Sequence, residues 1–330
     1  MSPLTLDNLV EQYQQVSLSN QRMLEAFGAL VTELQRAQVA FILLKGADVL
    51  SRLYRIRGLR PFCDIDLLVH AQDLSRLDRL LTSLGFQPEI DGNPSYYSSE
   101  RGLRLDITTS IWYLNPDGLC EIWDRTIQRT IEANLIRCMC TNDLVLYLTA
   151  YNILHRGSCS TTFTHDLRLL IEREPVDWVV VLEQAVRWNL NIPLYYGLTT
   201  ASRHESSSIP PAVLQSLAPT SITEKRLLDL LRAVVTDKPL LNIGHFLMFI
   251  TRPVGQKLRW VWSYLSPPRE FLRYRYGKRG VSQPLLTSVM RVGWLIAQSV
   301  VLISHILLRL LIKPSPKVAE HRSPFRVPLS

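Results

Sequence analysis

The stretch from Val39 to Val69 constrains this chain more than any other. Val39 to Leu44 is a short apolar run closed by Lys45-Gly46 and reads as a buried strand. Gly46 to Tyr54 follows as a helix with Ala47, Leu50, Leu53 and Tyr54 on one side. Arg55 to Cys63 carries Gly58 and Pro61 and reads as a loop. Asp64 to Val69 is a second strand. On a strand Asp64 and Asp66 point the same way, while Ile65, Leu67 and Val69 cover the opposite face.

Two carboxylates at a strand end can hold divalent cations, because hard cations take oxygen ligands and Mg²⁺ needs only one or two from protein. Leu103 to Thr109 supplies a third. It alternates clearly, with Arg104, Asp106 and Thr108 on one face and Leu103, Leu105 and Ile107 on the other. Three converging carboxylates do not all stay ionised without a cation, so the set Asp64, Asp66 and Asp106 points to metal. A pair of ions there would position an α-phosphate and stabilise the attacking and leaving oxygens. An isolated Asp-x-Asp is more often an exposed edge or a capping turn, so the weight falls on what surrounds it.

The rest of the chain divides by pattern. Leu4 to Gln38 is helical, with Leu24, Phe27, Leu30, Val31 and Leu34 on one face. Asp73 to Leu84 is a helix ended by Gly85, Phe86 to Ile90 a third strand, and Gly92-Asn93-Pro94 a turn. After a short strand at Leu135 to Met139 the pattern becomes helical. Asn142 to His155, Phe163 to Glu172, Trp178 to Trp188 and Ile222 to Val235 are helices, punctuated at Asn191 to Pro193 and Ile209 to Pro211. The expected organisation is an N-terminal helical segment (1–38), an α/β domain (39–140), a helical domain (141–250) and a basic, partly apolar C-terminal region (251–330).

The run LLKGADVLSRLYRIRGLRPFCDIDLLV, Leu43 to Val69, resembles the polymerase-β-type nucleotidyltransferase superfamily. Within it the chain is similar to a poorly characterised bacterial branch marked by Lys-Gly, a helix, a Tyr, then Arg and Asp-x-Asp-hydrophobic-Leu-Val. The likeness continues through Gly85-Phe86, Leu105-Asp106, and Leu144 to Leu170 with His155 and Asp166. It implies an α+β fold, a short mixed sheet with helices followed by a helical domain. It also implies that Asp64 and Asp66 hold two Mg²⁺ ions with Asp106 as the third acid, and that Lys45-Gly46 replaces the superfamily's phosphate-binding Gly-Ser pair. Gly46 still permits close backbone approach, a helix N-terminus still favours phosphate, and Lys45 is either a phosphate-contacting cation or a solvated strand end. Arg60 either clamps a triphosphate in bidentate fashion or fixes the loop onto the Asp pair. His155 and Asp166 either pair to fix the helical domain or line the acceptor side of the cleft.

The reaction implied is transfer of a nucleoside monophosphate from an NTP, ATP foremost, to an unidentified acceptor with pyrophosphate leaving. Two rivals stand beside it: a non-catalytic nucleotide-binding relative, and a membrane-associated accessory protein of surface-polysaccharide assembly.

Charge is distributed unevenly. From Arg252 onward, 14 Lys and Arg face only Glu270 and Glu320, which leaves the preceding chain at net −4 within a total of +8. Val292 to Leu308 is mainly apolar but broken by Gln298, Ser299, Ser304 and His305, at the lower limit for a membrane span. Lys257, Arg259, Arg273, Arg275, Lys278 and Arg279 interleave with Trp260, Trp262, Tyr264, Phe271, Tyr274 and Tyr276. That mixture suits an anionic membrane surface and, less well, nucleic acid; a core helix with solvated basic neighbours is the plain alternative. Five cysteines form neither an even disulfide set nor a paired C-x-x-C pattern. Met1 to Val10 has no basic flank and no apolar core, so no signal peptide is expected. The expectation is a cytoplasmic protein, with peripheral contact at the inner face of the membrane as an option.

Overall fold

The computed structural model describes residues 6–91, 93–202, 209–237, 239–252, 255, 257–258, 261–262 and 284–311. Helix α1 (Leu6–Arg36) buries Met23, Leu24, Phe27, Leu30, Val31 and Leu34, the three-and-four spacing of one helix face. Strands β1 (Phe41–Leu44) and β2 (Ile65–Val69) are buried throughout and are separated by α2 (Lys45–Leu53) and a 3-10 turn at Arg57–Leu59. Then come α3 (Leu74–Ser83), β3 (Gln87–Asp91), β4 (Asn93–Ser98), β5 (Leu103–Thr108), α4 (Pro116–Asp124), β6 (Ile127–Ile131) and β7 (Asn134–Cys138).

The strands form one mixed sheet in the order β3-β4-β5-β2-β1-β7-β6. At its centre β1 runs antiparallel to β2, and β2 parallel to β5. Alternation sorts the side chains. Ile65, Leu67, Leu105 and Ile107 join α1 and α3 in one cluster, while Ile42, Leu44 and Leu68 face the helices that follow the sheet. Asp66 and Asp106 therefore share the helix-covered face, beside Leu68 and Thr108.

Those helices are α5 (Thr141–Thr149), which passes into a π-helical turn at Ala150–His155, then α6 (Thr161–Arg173), α7 (Trp178–Arg187) and α8 (Asn191–Ala201). They continue with α9 (Pro211–Leu217), α10 (Ile222–Val234), α11 (Ile243–Thr251) and α12 (Pro284–Leu311). One hydrophobic cluster runs from Ile42 and Leu44 on the sheet into Leu146, Ile153, Leu167 and Leu198, across the change of pattern at residue 140.

The α+β architecture expected from the sequence is what the chain adopts, with β4, α4, β6, α8, α9 and α11 added; Asn191 to Pro193, expected as a break, is the first turn of α8. Strand β4 replaces most of the loop expected after Gly92. Strand β6 pairs with β7 through Glu132 and Ala133, both at positive φ. Helix α4 begins where Asn115 accepts a hydrogen bond from the Gly118 amide and Pro116 occupies the first turn. The helix expected to run unbroken to His155 instead widens into the π turn.

At the C-terminus α12 rests on α10 and buries Leu302 and Ile306. Val300, Val301, Ile303, Leu307 and Leu308 are exposed. No helix among the described residues is long and apolar enough to cross a membrane. The basic and aromatic residues Arg259, Trp260, Tyr264, Phe271, Arg273, Tyr274, Arg275, Tyr276, Lys278 and Arg279 lie outside the described residues.

Candidate active site

Parallel pairing of β2 with β5 sets Asp66 directly opposite Asp106, and Asp64 stands at the entry to β2. One carboxylate oxygen from each of Asp64, Asp66 and Asp106 lies within 4.8 Å of the others. Asp66 is buried; Asp64 and Asp106 are half-buried. At that separation each ionised pair repels by roughly 3 kcal/mol at an effective dielectric constant near 20. Burial, reinforced by Asp64 and Asp106 and opposed by Lys45, pushes the Asp66 carboxyl up to about 7. Burial and the Asp64 charge likewise raise Asp106. Three carboxylates, with no sulfur or imidazole ligand, form a donor set that fits a hard divalent cation.

Antiparallel pairing of β1 with β2 places Leu44 opposite Asp66, so the next residue emerges beside the carboxylates. That residue is Lys45, the first of α2, held at φ 35°. Positive φ is uncommon for a residue with a Cβ. Its ammonium forms an ion pair with Asp66 Oδ1 and lies 4.0 Å from the centroid of the Tyr151 ring. Burial works against the charge on Lys45, but Asp66 and Tyr151 more than offset it and hold the ammonium above its ordinary range.

Gly46 lets the approach loop close. A Cβ there would stand 3.3 Å from Phe62 Cβ, and its carbonyl accepts from Arg60 Nη1 at 3.2 Å. Arg60 Nε and Nη2 both reach Asp166 Oδ2 at 2.9 Å. The Tyr54 hydroxyl donates to Asp166 Oδ1 at 2.6 Å. Asn20, buried on α1, fastens the same loop from the other side, donating to the carbonyls of Arg57 at 2.6 Å and Arg60 at 2.9 Å. Arg60 is thereby tied to Asp166 and to the start of α2.

The hydrogen-bonded His155–Asp166 pair does not form: Asp166 is taken by Arg60 and Tyr54. His155 stacks on Tyr151 with ring centroids 5.1 Å apart and meets Trp112 at 5.3 Å. Although one side of the imidazole is open to solvent, crowding by the protein and the nearby Lys45 charge hold it below its usual range. The π turn brings Tyr147, Tyr151 and His155 into one stack. π turns recur at functional sites. Beyond Trp112 lies a cavity of about 170 Å³ lined by Tyr113, Leu154, Trp188, Leu190 and Arg187 among others.

The structure therefore brings Lys45, Asp64, Asp66 and Asp106 together, with Gly46 and Arg60 at their margin and His155 across the Tyr151 ring. Sequence reasoning missed Asn20, Tyr54 and Tyr151 as parts of the site. The recurrence of Tyr147, Tyr151 and His155 every fourth residue is the one signal that could have marked Tyr151.

The sequence model of a family described as "Uncharacterised nucleotidyltransferase" matches residues 2–204. No curated protein matches the sequence. Among solved structures, the antibiotic-resistance factor ANT(2'')-Ia is similar at a TM-score of 0.39 and 14% identity, covering 57% of this chain and 100% of its own. The lincosamide antibiotic adenylyltransferase LnuA, lincomycin-bound, gives 0.33 and 17%, covering 44% and 94%. An antigenic nucleotidyltransferase-like protein from Paracoccidioides brasiliensis gives 0.34 and 14%, covering 66% and 94%.

Proposed function

The chain belongs to the uncharacterised nucleotidyltransferase family, and on that premise we propose that it transfers a nucleoside monophosphate from an NTP, ATP foremost, to an acceptor hydroxyl. The observation that carries this reading is the convergence of Asp64, Asp66 and Asp106 beside the start of α2. A divalent cation, Mg²⁺ in this proposal, is held by those three carboxylates and when bound offsets the charge that develops on the phosphate oxygens.

The remaining work belongs to the chain itself. The first turn of α2 has no side-chain cap, so its amides receive phosphate oxygens. Arg60, locked by Asp166 and the Gly46 carbonyl, positions that turn. Asp106, half-buried at the edge of the cluster, accepts the proton of the incoming hydroxyl. The hydroxyl oxygen bonds to the α-phosphorus, the bond from that phosphorus to the β-bridging oxygen breaks, and pyrophosphate leaves. His155 and Trp112, beyond Tyr151, form the acceptor side of this reading.

ATP labelled in its α-phosphate, incubated with fractionated small molecules, tests the proposal. Label passes to an acceptor while pyrophosphate accumulates, and Asp64→Asn slows this by at least about 100-fold. Transfer of γ-label instead would contradict it.

A second reading concerns α12, because Val300, Val301, Ile303, Leu307 and Leu308 leave it an exposed apolar side. Residues 271–319 contain no Asp or Glu but include Arg273, Arg275, Lys278, Arg279, Arg291, Arg309, Lys313 and Lys317. In this reading the C-terminal region lies along an anionic membrane surface from the cytoplasmic side.

A further inference from the structure

We infer that the Lys45 ammonium is a resident cation of the carboxylate cluster, so that the protein–nucleotide complex assembles with one divalent ion where two would be expected. This deepens the transferase reading and rests on it.

Three observations carry the inference. First, the ammonium is fixed. It is paired to Asp66 Oδ1, lies 4.0 Å above the Tyr151 ring centre, and its side chain is only 14% exposed. A carboxylate on one side and the negative face of an aromatic ring on the other leave it nowhere more favourable to go. Its backbone is equally constrained, since Leu44 is locked in register with Asp66 and Lys45 itself starts α2 at positive φ.

Second, the pair occupies the ligand atom that a second ion needs. Two ions held side by side are usually bridged, and Asp66 is the central carboxylate of the cluster. It lies opposite Asp106 in register and is separated from Asp64 by one residue. With Oδ1 engaged by Lys45, Asp66 retains one oxygen for metal. Asp64 and Asp106, both half-buried, supply the rest.

Third, one positive charge is already built into the cluster: the ammonium offsets one of the three carboxylates before any ion or nucleotide arrives. A second ion would stand beside a buried ammonium of like sign.

Counting bound Mn²⁺ by electron paramagnetic resonance, in the full chain saturated with an ATP analogue carrying a non-hydrolysable α–β bridge, tests this. Wild type binds one Mn²⁺ per nucleotide complex. Two would overturn the inference and leave the transferase reading standing. No Mn²⁺–nucleotide binding at all would overturn both, so the two failures are distinguishable. Lys45→Met keeps the apolar stem and frees Asp66 Oδ1, and it takes up a second Mn²⁺; a count of one in that variant also overturns the role given to Lys45. Should Lys45→Met not fold, the wild-type count alone decides.

Discussion

With its carboxyl buried between Asp64 and Asp106, Asp66 binds a proton more readily in the folded chain than in the unfolded one. Its folded value of about 7 lies above the ordinary carboxylate range, so the stability it contributes is present at low pH and is lost as pH climbs through that window. Without divalent ions, the melting temperature of wild type should therefore fall relative to Asp66→Asn between about pH 4 and pH 7. Parallel slopes would show that Asp66 is ionised throughout. Asp106→Asn removes a like charge without stranding Lys45, so it should match or exceed wild type in thermal stability while losing about 100-fold or more in transfer rate. The Asp pair was legible from the sequence because alternation is local: two residues apart on a strand means one face. Tyr151 was not, because its place over Lys45 depends on a π turn and on how α5 crosses the sheet.

At the scale of elements, two joints hold the site. Asn20 ties α1 to the loop carrying Arg60. Asn20→Ala leaves two carbonyls without their donor and should cost about 2 kcal/mol in urea denaturation. The 55–63 loop should then become the first point of limited proteolysis. Gly244 joins α11 to the π turn, where a Cβ would fall 1.7 Å from the His155 carbonyl oxygen. Gly244→Ala should destabilise by about 3 kcal/mol and shift the Tyr151–His155 stack, visible in near-ultraviolet circular dichroism. Unchanged stability in either variant would show that the joint does not hold the site. Elements with strong local patterns, such as α1, β1, β2 and β5, were readable within a residue or two of their ends. The β6–β7 hairpin was not, since its two-residue turn is Glu132-Ala133 rather than the Asn-Gly or Asp-Gly that such turns favour. Helix α4 was announced by Asn115-Pro116 and overlooked.

Across the whole molecule, the mixed sheet gives its acidic face to the helices, and the cluster of carboxylates lies where the two halves of the chain meet. The membrane reading of the C-terminal region is tested separately. Purified full-length protein should co-sediment with vesicles containing anionic phospholipid and not with neutral ones, and Ile303→Glu with Leu307→Glu should abolish this. Equal recovery from both vesicle types would remove the membrane reading without touching the active site. The direct test of the central claim is calorimetric titration of a non-hydrolysable ATP analogue with Mg²⁺ into wild type and into Asp64→Asn/Asp66→Asn. Wild type should bind the nucleotide only when Mg²⁺ is present, and the double variant should show no metal-dependent heat. Equal binding by both proteins, or none by wild type, would contradict the account.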